Sequence, residues 1–165
     1  MDVVKQMAQH FRAVHFGGNW TSVNLSETLS DVTWQQAVTQ VHNLNTIAVL
    51  VFHVNYYVAA VLKVLEGEPL TASDKFSFDL PAITSAEDWQ NLVTKTLTEA
   101  ELFAEAIEKL DESKLFEEFT MPQYGNYYRN LAGIIEHTHY HLGQISLIKK
   151  ILKEEEYANK FQSID

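Results

Sequence analysis

The chain has 165 residues, 46% apolar and 21% charged, ordinary values for one globular domain able to bury its own core. Its 12 basic and 22 acidic residues leave a net charge of −10, which argues against nucleic-acid or anionic-membrane partners, since both need a basic surface. There are no cysteines, so disulfides, thiolate ligands and a cysteine nucleophile are excluded, and any thiol chemistry needs an external thiol.

Near the start of the chain, Asp2, Lys5 and Arg12 interrupt the apolar residues, so a signal-peptide core is not expected. A membrane span needs about 18 apolar residues. The nearest stretch, 44–62, contains Asn45, His53, Asn55, Tyr56 and Tyr57 and reads as a buried helix. A cytoplasmic location is the expectation, with 1–165 as one helical domain and 155–165 as a polar tail.

The first helix is expected over 3–14, before Gly17 and Gly18, with Val3, Met7, Phe11 and Val14 as its inner stripe. His10 flanks that stripe, and His15 lies off it as a surface or cap residue. A looser region over 17–43 carries a short helical piece capped by Thr33, with Trp34 and Ala37 available for packing. His42 reads as a surface or cap residue before the second helix, 44–65, which ends at Gly67 with Pro69 beyond. Val49, His53, Tyr57, Ala60 and Val64 share one seam of that helix, so His53 is expected to point inward.

The connection 66–81 has no period of its own and is long for a link between helices, so it is expected to cover one end of the fold. Ser85 and Asp88 resemble a capping box with Asp replacing the usual Glu. The third helix, 86–110, carries Trp89, Leu92, Val93, Thr96, Ala100, Phe103, Ile107 and Leu110 on one stripe. Glu99, Glu101, Glu105 and Glu108 face the other way, as a solvated surface. After a polar turn at 111–114 and a segment with Pro122 and Gly125, the fourth helix runs over 127–154. Its inward seam is Ile134, Thr138, His141, Ile145, Ile148 and Leu152. Four helical stripes without strand alternation or repeats predict an all-α four-helix bundle.

Three of the histidines lie in the fourth helix, at His137, His139 and His141. Residues four apart stack on one helical face, so His137 and His141 form a pair, whereas His139 points nearly opposite. Two imidazoles on an apolar seam cost free energy unless they are paired or ligated. His53 on the second helix is the candidate third ligand. Three neutral imidazoles suit zinc or nickel, with iron or copper as further candidates, and leave a coordination position open.

Two chemistries are excluded by what is missing. A zinc protease of the HExxH type needs Glu directly after the first histidine, where this chain has Thr138. A ferritin-like di-iron site needs inward carboxylates that the seams lack. No carboxylate is placed as a general base, and no catalytic residue is assigned. Tyr57, one turn from His53, is either a pocket donor or a packing aromatic. Gln144 either orients a ligand or is a surface amide. Gly143 in mid-helix is expected to mark the close approach of another helix or subunit.

His53, followed by His137-x-x-x-His141-x-Gly143-Gln144-Ile145, resembles the DinB/YfiT-like family of metalloenzymes. The stretch 44–53, the helix exit at Gly67, and the segments 25–29 and 31–37 are also similar to that family, so the likeness spans most of the chain. The resemblance implies an up-down-down-up four-helix bundle, often a homodimer, with one divalent metal on His53, His137 and His141. It also implies use of a small-molecule thiol and an electrophile in S-transfer or isomerisation. Three expectations follow. The first is a metal-dependent enzyme activating a thiol or water for S-transfer or hydrolysis. The second is a non-catalytic, stress-related or small-molecule-binding bundle that holds metal. The third is a bundle that binds no metal.

Overall fold

The computed structural model describes residues 2–162, and their side chains as far as Glu155. Among these residues the fold is all-helical, with one isolated antiparallel bridge between Glu118 and Asn126 and no strand. The helices are α1 (Val3–Phe16), α2 (Leu25–Leu29), α3 (Trp34–Val38), α4 (Ile47–Leu65), α5 (Ala86–Glu108) and α6 (Tyr127–Gln162). Short 3-10 turns occupy Asp74–Phe76, Glu112–Phe116 and Pro122–Tyr124.

Local chemistry sets the helix ends. Asp2, Asn24, Thr33, Thr46 and Ser85 each accept a backbone N–H with the side chain, satisfying donors that the first helical turn leaves open. Thr33 and Gln36 close a full capping box. Thr46 as cap starts α4 at Ile47, three residues later than expected, and leaves Leu44 outside and exposed. At the other end Gly67 has φ +94°, and the N–H groups of Gly67 and Glu68 return to the carbonyls of Val64 and Lys63. That pair of bonds is a Schellman ending, which needs the left-handed residue that glycine supplies. At Ser85 the reciprocal half of the capping box is displaced by one residue. The Asp88 carboxylate accepts from the N–H and hydroxyl of Thr84 at 2.9 Å, because its chain is one methylene shorter than Glu.

Four long helices pack in a closed series. α4 lies against α5 and α6, and α1 lies against α5 and α6. Phe11, Val51, Phe103, Ile107, Leu131 and Ile145 are fully buried between them. Phe11 and Phe103 meet at 4.7 Å with tilted rings, so truncating either to Ala is expected to cost roughly 3–5 kcal/mol. The connections join the core through Leu25 and Leu115, both fully buried. The Trp89 indole donates to the Val32 carbonyl at 2.9 Å and pins the region between α2 and α3 onto α5.

Several expectations are corrected. The inner stripe of α1 starts at Val4, and Val3 is exposed. His15 is completely buried, with Nδ1 at 3.0 Å from the Phe11 carbonyl and its ring 4.3 Å from that of Phe11. The reason is that α1 continues to Phe16, two residues beyond the inferred end, which carries His15 into the core. The glutamate face of α5 is at least partly solvent-exposed, as expected, and is paired as well. Glu101 and Glu108 bind Arg12, and Glu99 accepts from Asn55 and Lys95. α5 ends at Glu108, two residues short of the expected limit. α6 continues eight residues past the expected end at 154, so the tail expected over 155–165 begins as helix; 163–165 lie outside the described residues.

Among the described helices α4 alone has the length and apolar character to cross a membrane, and 61% of its most apolar window is buried inside the fold. It is apolar because three other helices cover it.

Candidate metal centre

The seam of α4 that carries Val49, His53, Tyr57 and Ala60 is not the middle of the core. His53 is buried, but Val49, Tyr57 and Ala60 are only half covered, whereas Leu50, Val54 and Val58 on the neighbouring face are buried. The histidine seam therefore runs along the margin of the core, where solvent and a ligand can enter. α6 meets it from the other side with His141 buried and His137 half-buried at the edge, the orientation expected from their four-residue spacing.

The three rings converge. His53 and His137 have ring centroids 4.9 Å apart, His53 and His141 4.8 Å, and His137 and His141 4.5 Å. One ligand atom from each lies within 4.8 Å of the others, so the group can hold a metal ion. The Nε2 atoms of His53 and His137 are 3.1 Å apart. Two nitrogens bound tetrahedrally at ~2.05 Å would be roughly 3.3 Å apart.

Hydrogen bonds select the nitrogen that faces inward. His53 Nδ1 donates to the Ser77 carbonyl at 3.2 Å, and His141 Nδ1 donates to Gln144 Oε1 at 2.6 Å. Both oxygens can only accept, so both Nδ1 atoms carry the proton and both Nε2 atoms present a lone pair. Lone pairs aimed at one point repel unless a proton or cation lies among them. Orienting a ligating imidazole through its other nitrogen is the arrangement metal-binding histidines use. The donor set thus fits a divalent ion that accepts imidazole nitrogen.

Protonation favours the same state. Burial pushes the pKa of His53 and of His141 below the ordinary histidine value, against the opposing effects of Ser77 and Gln144. For His137 burial, with His141 and His53 alongside, lowers it to about 4. All three are neutral at pH 7, as ligation requires.

The surroundings come partly from the long connection between α4 and α5. Besides the Ser77 carbonyl, it places the Phe78 ring in a stack on His53 at 3.9 Å, which covers one face of that imidazole. Asp74 in the same connection accepts the Tyr57 hydroxyl at 3.0 Å. The Tyr57 ring lies 5.2 Å from His53 and 4.9 Å from His137, and burial raises its pKa, so it is a neutral donor beside the cluster. Tyr57 and Gln144, each open to two readings in the sequence, both lie against the histidine cluster.

Ser77, Phe78 and Asp74 were not identified by sequence reasoning. Their one signal was the unusual length of the connection, which said that it covers something without saying what. The other histidines stay out of the cluster. His139 is half-buried and faces the exposed His10 at 6.1 Å, and His42 is an exposed residue with φ +49°.

Two cavities flank the connection. One of about 590 Å³ between α4 and α5 is lined by Phe52, Asn55 and Lys95 and does not include the histidines. The other, about 420 Å³, has His137 and Tyr57 in its wall and extends toward the start of α6. We assign the site to the smaller cavity, because chemistry follows the convergent polar groups and not the volume. No protein-family model, curated protein or solved structure matches the chain.

Proposed function

We propose that this chain is a mononuclear metal-dependent enzyme that holds one divalent ion, zinc or nickel ahead of iron or copper, on Nε2 of His53, His137 and His141. The reading includes membership of the DinB/YfiT-like family and an up-down-down-up four-helix bundle. What supports the bundle is the closed series of contacts among α1, α5, α4 and α6. The observation that carries the metal site is the pair of Nδ1–H bonds, to Ser77 and Gln144, that turn two Nε2 lone pairs onto the point reached by His137.

When bound, the ion supplies Lewis acidity that lowers the pKa of a thiol or water at its open position, for attack on an electrophile in S-transfer or hydrolysis. The chain's own groups do the rest. Ser77 and Gln144 hold two imidazoles in the ligating tautomer. Phe78 shields His53 from water. Tyr57 donates to Asp74 beside His137 and offers its hydroxyl oxygen, with Asp74 as proton acceptor behind it, to whatever enters the cavity. That dyad supplies the carboxylate that no helical seam could provide.

The proposal places the protein in the cytoplasm as a homodimer. Gly143 supports the second point. A side chain there would meet nothing within 4 Å, so no helix among the described residues explains the glycine. Tyr140, 65% exposed, and Leu147, 56% exposed, flank it on the outer face of α6.

The test is metal analysis of untagged protein loaded with zinc or nickel. One equivalent is expected for the wild type and none for His137→Ala; a wild type that takes up no metal defeats the reading. Screening the loaded protein with small thiols and electrophiles separates the enzyme from its rival, a metal-stabilised binding protein. Turnover that disappears on chelation while the helical signal persists supports the enzyme, and metal binding without turnover supports the rival.

A further inference from the structure

We infer that the cavity beside His137 binds an elongated organic molecule with a terminal carboxylate, anchored at Arg129 by that carboxylate and reaching the histidine cluster with its other end. The inference rests on the metal reading above for the histidine end, and on separate observations for the anchor.

The chain has two arginines, Arg12 and Arg129. Arg12 is committed to Glu101 and Glu108. Arg129 has no carboxylate partner among the described residues. Its guanidinium donates through Nη1 to the Gln123 carbonyl at 3.3 Å, which uses one of its five N–H groups. Arg129 is exposed, lines the cavity and lacks an acidic partner, so its guanidinium is open to an incoming anion. Its fork geometry matches a carboxylate.

The backbone around Arg129 is arranged to hold it there. Asn126 accepts the Arg129 N–H with its side chain at 2.9 Å and caps the start of α6. The adjacent Gly125 has φ +72°, and a Cβ on it would lie 3.1 Å from Arg129 Cδ. The turn therefore favours a glycine for its backbone conformation, and the arginine side chain passes close over it.

Between Arg129 and His137 the cavity is open and mostly apolar. The two residues are eight apart on one helix, a rise of roughly 12 Å. Gly133 lies midway and lines the cavity, and a Cβ on it would meet nothing within 4 Å. Val61, Leu70, Phe119 and Ile134 supply apolar wall, and Gln123, Tyr124 and Asn130 also line the cavity. Arg129 is the one lysine or arginine and Asp74 the one carboxylate in the lining. Asp74 is tied to Tyr57 at the histidine end, so without metal the two charges orient an anionic ligand with its carboxylate away from the cluster; with metal bound, the open position takes the thiol end and leaves the carboxylate to Arg129. An apolar spacer ending in a carboxylate matches this sequence of surroundings.

Isothermal titration of the metal-loaded protein with 6-mercaptohexanoate and with 6-mercaptohexanamide tests the inference. The two probes share thiol and spacer and differ in the terminal charge. The acid is expected to bind about tenfold more tightly than the amide, the effect of one solvent-accessible guanidinium–carboxylate contact. Arg129→Gln is expected to abolish that preference, and Gly133→Leu to abolish binding of both probes while metal content and melting temperature are retained. Equal binding of acid and amide, or an acid preference that survives Arg129→Gln, overturns the inference. Metal content is measured first, so failure of the metal reading is seen separately. In that event the same comparison on metal-free protein decides the carboxylate anchor by the same criteria.

Discussion

Two groups of three histidines lie on opposite sides of α6, and only one has the geometry of a ligand set. His53, His137 and His141 come from two helices and aim ring nitrogens at one point, with backbone and amide oxygens selecting the nitrogen. On the other side, His10 and His139 face each other at 6.1 Å, and His15 sits beneath them in the core. His15 points one nitrogen at its own helix, and its Nε2 is buried without a partner. The difference teaches that the number and proximity of histidines do not make a metal site. The anchoring of Nδ1 by an acceptor that leaves Nε2 facing a common point does.

The sharpest way to break the comparison is to remove one histidine from each side. His137→Ala is expected to lower metal affinity by far more than the ~10–100-fold typical of losing an outer-shell partner, as read by competition with a chelator. Its thermal melting should no longer rise on metal addition. Equal damage from His139→Ala would show that the two sides had been assigned the wrong way round.

The second effect separates the groups by pH. Burial holds the pKa of His15 at about 4, while the unfolded chain has an ordinary histidine near 6.5. Between these values the unfolded state binds the extra proton. The contribution is therefore complete above about pH 6.5 and is lost progressively as the pH falls toward 4. Metal-free wild type is expected to lose about 3 kcal/mol more than His15→Leu over that interval, as read by urea unfolding at its two ends. Metal should still raise the melting temperature of His15→Leu, because that residue does not touch the cluster.

Gln144→Leu tests the anchoring itself. It leaves all three imidazoles in place but removes the acceptor for His141 Nδ1–H. Metal affinity is expected to fall by about tenfold to a hundredfold without loss of stoichiometry. The smallest effect belongs to His139→Ala, which should leave metal affinity unchanged and stability within about 0.5 kcal/mol.

How far all this could be read from sequence depended on whether the controlling interaction was local. The four long helices were legible because Phe11, Trp89, Phe103, Ile134 and Ile145 recur at helical spacing. The ligand pair was legible for the same reason, since His137 and His141 are bound to share a face. Thr46 and Thr33 set helix starts through neighbours three residues away, and Thr33 was read correctly. What escaped was determined across the fold. Whether His15 was core or cap depended on two further residues of α1 lying against other helices. The seam through His53 was read as pointing inward, and His53 is buried, but spacing shows a face and not how much of it a neighbour covers, so the half-covered Val49, Tyr57 and Ala60 were not legible. Ser77 acts through its carbonyl, which no residue type reveals, and Phe78 and Asp74 lie in a connection without a period. The acidic face of α5 is solvated as read, but its pairing was not legible because its partners Arg12 and Asn55 come from other helices.

Anomalous diffraction from crystals of metal-loaded protein, collected on both sides of the absorption edge of the added ion, tests the metal assignment at the level of atoms. A single strong peak is expected within bonding distance of Nε2 of His53, His137 and His141, with Nδ1 of His53 and His141 still on Ser77 and Gln144. A peak between His10 and His139, or no peak at the three-histidine cluster in protein that has bound one equivalent of metal, would contradict it.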